Sequence, residues 1–161
     1  MRISRRVAAA LVTTAALAGS ALTAGSAVAT PEPFLLKTSL APSIPSDPML
    51  HGVTAGGAPW KLKRGFFALQ KNGQVRVNIR GLIIPELGSP GPVTTVDAAL
   101  YCGSEMEKTA AFTTPSVPIS KKGNALIEAT VSVPSSCLAP VVLIEPNGIS
   151  SIYITTSGFM L

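Results

Sequence analysis

A chain with one histidine, two cysteines and eight acidic residues has few ways to do chemistry. Any triad would run through His51, with Asp47 four residues away as the orienting carboxylate. Nucleophilic catalysis needs nucleophile, imidazole and carboxylate held rigidly. His51 lies among prolines and glycines that fix neither group, so catalysis there is not expected. Met49 and His51 offer a thioether and an imidazole, donors that suit a soft metal. Two ligands on such a segment do not make a site, and an exposed, idle histidine is the expectation. One His and two distant Cys cannot close a tetrahedral zinc shell. No cofactor and no metal are expected.

Carboxylate chemistry would fall to Glu105 and Glu107, which flank Met106 just after Cys102. Acid catalysis needs a raised carboxyl pKa, which takes burial or a close second carboxylate. A polar turn beside Lys108 offers neither, so both read as solvated. Glu128 and Glu145 read as outward or terminal strand positions. There is no Walker-type loop, and no G-x-G-x-x-G opens a helix. With Asp47 and Asp97 the only aspartates, no calcium loop exists. Catalytic residues are therefore expected to be none.

What remains is a surface. Lys61, Lys63, Arg64, Arg76 and Arg80 fall on one hairpin, with Phe66 on the same outward face as the arginines. A basic face with aromatic residues binds anionic polymers, whether envelope glycopolymers or nucleic acid. The competing explanation is a sheet edge blunted by charge against aggregation. Carbohydrate stacking would favour Trp or Tyr, and Trp60 reads equally well as a core anchor.

The elements that must position these residues start after a leader. Arg2, Arg5 and Arg6 precede the apolar run Val7 to Leu22, and Ala27-Val28-Ala29 ends it. This is the pattern of a signal peptide over 1–29, cleaved after Ala29 by the Sec route, with Arg5-Arg6 a weak hint of twin-arginine export. Three of the 13 basic residues lie in the leader, leaving 10 against 8 acidic, a net charge of +2. That balance does not steer a protein strongly to nucleic acid or an anionic membrane, and no membrane span is expected after cleavage. Of 161 residues, 132 remain, enough for one domain. In an oxidising exported setting, Cys102 and Cys137 are expected to form one structural disulfide.

Residues 30–58 carry Pro31, Pro33, Pro42, Pro45 and Pro48, then Gly52, Gly56 and Gly57. Proline removes donors and fixes φ, so this stretch reads as an extended or disordered lead-in. Apolar Phe34, Leu35, Leu36 and Leu40 leave two alternatives, a free linker or partial docking along the domain surface. The domain proper is expected over 59–161, as short β-runs separated by turns. Trp60 to Leu69 and Gln74 to Leu82 flank Lys71-Asn72-Gly73, a hairpin turn. Pairing across it sets Leu69 opposite Val75 and Phe67 opposite Val77, with Gly65 a bulge. Thr94 to Cys102, Thr109 to Thr114, Ala125 to Val133, Pro140 to Ile144 and Ser150 to Phe159 complete seven runs. Almost no helical periodicity appears. An all-β, antiparallel two-sheet sandwich is predicted, immunoglobulin-like in architecture, with a β-barrel or jelly roll the alternative.

The succession APWKLKRGFFAL, NGQVRVNIRGLIIP, ALYCG and CLAPVVLIEPNG, then a closing strand around Tyr153, is similar to small secreted β-rich proteins of actinobacteria. The resemblance covers 59–161 and implies export and a β-rich fold; it lends no catalytic residue. The expected function is a non-catalytic binding or structural domain of the cell envelope or extracellular space. Its partner would be an anionic polymer or a protein. The alternative is a secreted hydrolase, or an inhibitor of one presenting the loop Pro85 to Pro92.

Overall fold

The computed structural model describes residues 33–159; the leader read over 1–29 lies outside them. The chain forms β1 (Phe34–Pro42), β2 (Thr54–Ala55), β3 (Arg64–Gln70) and β4 (Gln74–Arg80). Next come β5 (Thr95–Tyr101), β6 (Phe112–Thr113) and β7 (Val117–Pro118). Last are β8 (Ala125–Thr130), β9 (Val141–Pro146), β10 (Ile152–Tyr153) and β11 (Thr155–Ser157). No helix occurs among the described residues, and the fold is all-β.

The strand with the cleanest alternation sets the register. β3 and β4 pair antiparallel with Leu69 opposite Val75 and Phe67 opposite Val77, as the spacing predicts. Asn72 Oδ1 accepts from the Gln74 N–H at 3.0 Å, and Gly73 turns the chain at φ +83°. A Cβ on Gly73 would collide with the carbonyl oxygen of Val131. G73A is therefore expected to lower the unfolding free energy by about 1 to 2 kcal/mol, from left-handed strain and the clash together. Urea titration measures it, and an unchanged midpoint would show that the turn relaxes freely.

Gly65 is not a bulge. It pairs regularly with Ile79, and a Cβ there would press Leu62 and Leu40, so the residue is small for close packing. The ladder's irregularity lies in β1 instead, between Phe34 and Leu36.

β1 also corrects the reading of 30–58 as a lead-in. Its first part pairs with β3 through Ser39, and its last, Leu40 to Pro42, pairs with β11. The prolines bracket this strand rather than interrupt it, Pro33 before and Pro42 at its end, where a missing donor is tolerated.

Because one strand serves both neighbours, the hydrogen-bonded path runs unbroken as β6-β5-β9-β11-β1-β3-β4-β8, with β7 also on β5. Every ladder in it is antiparallel. The two separate sheets of the expected sandwich are thus replaced by one curled sheet, half a barrel. Its hollow holds the core. Phe67, Val77, Ile79 and Ile127 from one arm join Val96, Leu100, Val142 and Ile144 from the other in a single buried cluster.

β9 is covered on both faces, as its unbroken apolar run predicts. Its second face, with that of β5, packs Ala99, Tyr101 and Leu143 on Val53, Ala55 and Tyr153. β2 and β10, a separate parallel pair, supply the cover. Cys102 and Cys137 are disulfide-bonded, with Cα atoms 5.0 Å apart. That bond is consistent with an extracellular, oxidising location.

Candidate anion-binding groove

Alternation on β4 turns Val75, Val77 and Ile79 into the core, leaving Arg76, Asn78 and Arg80 outward. The residue directly across from Arg80 is Arg64. Two like charges placed opposite each other on antiparallel strands destabilise a sheet, so this pairing is not there for stability. Lys63 adjoins it, its N–H donating to the Arg80 carbonyl at 3.1 Å.

A fourth cation arrives from the turn Lys121-Lys122-Gly123-Asn124. The Leu82 N–H donates to the Gly123 carbonyl at 2.9 Å, and the Gly81 N–H donates to Asn124 Oδ1 at 3.0 Å. These bonds hold the turn against the end of β4 and carry Lys122 to the arginines. The result is a groove of about 530 Å³ lined by Lys63, Arg64, Arg80, Gly81, Lys122 and Asn124. No carboxylate lines it. Arg80 Nε donates to Asn78 Oδ1 at 3.2 Å, which orients the guanidinium. Guanidinium forks match the oxygens of carboxylate, phosphate or sulfate groups, and the lysines add point charge.

The five basic residues expected on this hairpin therefore separate. Lys63, Arg64 and Arg80 come together. Lys61 is exposed but bonded through its main chain to Ile83, away from the groove. Arg76 is neutralised by Glu128, Nη1 to Oε1 at 2.7 Å, with both side chains more than half exposed. Lys122 was missed. Its only sequence signal was the doubled lysine in a turn, which marks a reversal of the chain without saying which strand end it meets.

The histidine expected to be exposed and idle is buried, its side chain 1% accessible. Its ring stacks on Tyr101 at 5.1 Å between centroids. Its main-chain N–H donates to Glu105 Oε2 at 2.7 Å, and its Nδ1 lies 2.8 Å from the Glu107 carbonyl, so Nδ1 carries the proton. Asp47 is engaged elsewhere, accepting from the Ile44 N–H. His51 thus pins the turn after Cys102 against β5. Its hydrogen bonds include no hydroxyl or thiol, and neither it nor Glu105 nor Glu107 lines the basic groove.

Glu145 also departs from expectation. It is not outward but buried, 1% exposed, directly across the β5–β9 ladder from buried Asp97. Burial chiefly, and then the charge of Asp97, push its carboxyl up to about 7. Tyr101 Oη donates to Glu145 Oε1 at 3.4 Å, and burial with the Glu145 charge pushes that phenol up to about 12. Ser116 Oγ donates to Asp97 Oδ1 at 2.9 Å. A cover of β2 and β10 over this face explains the burial, and residues 54–55 lie in the stretch read as a lead-in. Among the described residues, no three His, Cys, Asp or Glu side chains gather in a way that would hold a metal ion.

The Pro85 to Pro92 loop closes on itself through a bridge between Ile84 and Ser89, with Leu87 exposed at its tip. It is a tight turn rather than an extended segment. Compared with known proteins, the chain matches no family model, no curated protein and no solved structure.

Proposed function

We propose that this chain is an exported, non-catalytic binding domain that holds an anionic polymer of the cell envelope or extracellular space. The contact is made by Lys63, Arg64, Arg80 and Lys122. The observation that carries the reading is Arg64 standing opposite Arg80 in a groove without a carboxylate. Fold stability does not require that arrangement, whereas a bound anion relieves its repulsion. The leader and the disulfide support export.

Retention on purified cell-wall material tests it. The processed protein is expected to be held at low salt and released as ionic strength rises, because exposed charges are screened within about 10 Å at 0.1 M. Changing Lys63, Arg64, Arg80 and Lys122 to alanine should weaken retention by more than about tenfold, a loss of about 1.4 kcal/mol. Equal retention of the variant would remove the groove as the binding site.

A further inference from the structure

Further along the outer face of β3 and β4 lies a second depression, larger than the first at about 660 Å³. Its chemistry is different. Ala68, a small residue on an outward position between Lys37 and Arg76, gives it a low floor. Phe34 and Phe66 both line it, and its polar groups include Gln70, Gln74 and the mutually neutralised Arg76 and Glu128.

Phe34 is there because of the β1 irregularity. Leu36 sits opposite inward Leu69, and two residues earlier the side chain would again face inward. The extra residue between Phe34 and Leu36 instead sets Phe34 opposite outward Gln70. Bulges re-aim side chains in this way. The phenyl ring is left 50% exposed, with Lys37 Nζ 5.4 Å from its centroid. Holding a large apolar ring half in water wins nothing for the fold.

We propose that the polymer of the basic groove is an anionic polysaccharide, and that its sugar rings seat in this second depression between Phe34 and Phe66. The inference rests on the anion-binding reading of the Arg64–Arg80 groove and names its ligand class. Sugar rings present C–H faces to aromatic π-faces and hydroxyl pairs to neighbouring donors and acceptors. The exposed phenyl ring of Phe34, the half-buried ring of Phe66, two amides and an Arg–Glu pair supply both kinds of contact. A bare polyanion would instead seek clustered uncompensated cations. Here Arg76 is cancelled by Glu128, and the one cation in the lining left unpaired among the described residues, Lys37, stands by itself over the Phe34 ring. Arg76 and Arg80 lie about 14 Å apart along one strand, from a rise of about 3.4 Å per residue. The two depressions therefore form one track, sugar-binding at one end and charge-binding at the other.

The test compares binding of the processed protein to polygalacturonate, to inorganic polyphosphate and to a single-stranded dT oligonucleotide at fixed salt. Polygalacturonate is expected to bind at least about tenfold more tightly than either other probe. F34S/Q74A, changed only at exposed positions and without altering charge, should weaken polygalacturonate about tenfold and leave polyphosphate within about twofold, with circular dichroism confirming the fold. R64A/R80A should weaken both. Equal losses for the two polymers in F34S/Q74A, or tighter binding of polyphosphate or the oligonucleotide by the unchanged protein, would overturn the sugar subsite. If the latter binding still depended on Arg64 and Arg80, the basic groove would stand alone. No binding of any probe would overturn both readings.

Discussion

Replacing Cys102 and Cys137 together by alanine is expected to lower the unfolding free energy by about 3 to 4 kcal/mol, from the chain entropy released when a loop of this size is opened in the unfolded state. The loop spans 35 residues and contains β6, β7 and β8. β5 stands near one end of the sheet and β8 forms the other, so the bond limits how far the two arms separate before they have paired. In the folded chain the link adds little that hydrogen bonds do not already secure. Tyr101 pairs with Val141 in the β5–β9 ladder, and the Gly103 N–H donates to the Leu138 carbonyl at 2.7 Å. The effect should therefore fall on the unfolded state, leaving the native circular dichroism spectrum unchanged. Alanine is the informative replacement because both cysteines pack against the core, where a serine hydroxyl would add its own penalty. For a domain of this size the loss is a large share of total stability. Urea unfolding of the oxidised protein and the variant measures it. A difference below about 1 kcal/mol would refute the chain-entropy account.

The second large effect is a stability that falls as pH rises through neutrality. In the unfolded chain the Glu145 carboxyl titrates near 4.5, and in the folded protein burial and Asp97 hold it up to about 7. Between those values the folded state binds more protons than the unfolded one. Glu145 therefore contributes its full share below about pH 4.5 and loses it as the pH climbs through 7. E145Q keeps the shape and the hydrogen-bonding reach of the protonated acid but cannot ionise. Its stability should match the parent near pH 4.5 and exceed it at pH 8 by about 2 to 3 kcal/mol, the linkage value of the shift. Tyr101, which donates to Glu145, can also donate to the amide oxygen, so its hydroxyl keeps an acceptor. Chemical denaturation at intervals from pH 4.5 to 8 reads both curves. Parallel profiles for parent and variant would show that Glu145 is not the titrating group.

The parts of this protein legible in its residues are those where the physics is local. Strict alternation in Gln74 to Leu82 and an Asn-Gly turn specify a hairpin register, because a one-residue slip would turn Val75, Val77 and Ile79 out to water. The apolar run of β9 marks a strand covered on both sides. Two cysteines behind a stretch that reads as an export signal mark a disulfide. The outward arginines follow from the same alternation as the inward valines, so Arg64, Arg76 and Arg80 were readable as a surface.

Tertiary structure decided what covers what, and local pattern cannot report that. β1 is hidden behind prolines because its strand character comes from the pairing it makes with β3 and β11, partners far away in sequence. Missing it turned a single curled sheet into two. The same segment continues into His51 and β2, so the burial of His51 and of the Glu145 face could not be seen either. Lys122 joined the arginines only because a turn folded back on the end of β4, while Glu128 removed Arg76 from their number through a cross-strand pair. Alternation tells a side chain which face of its strand to take; what lies against that face is set by strands tens of residues away, and on that the chemistry of every charged group here depends.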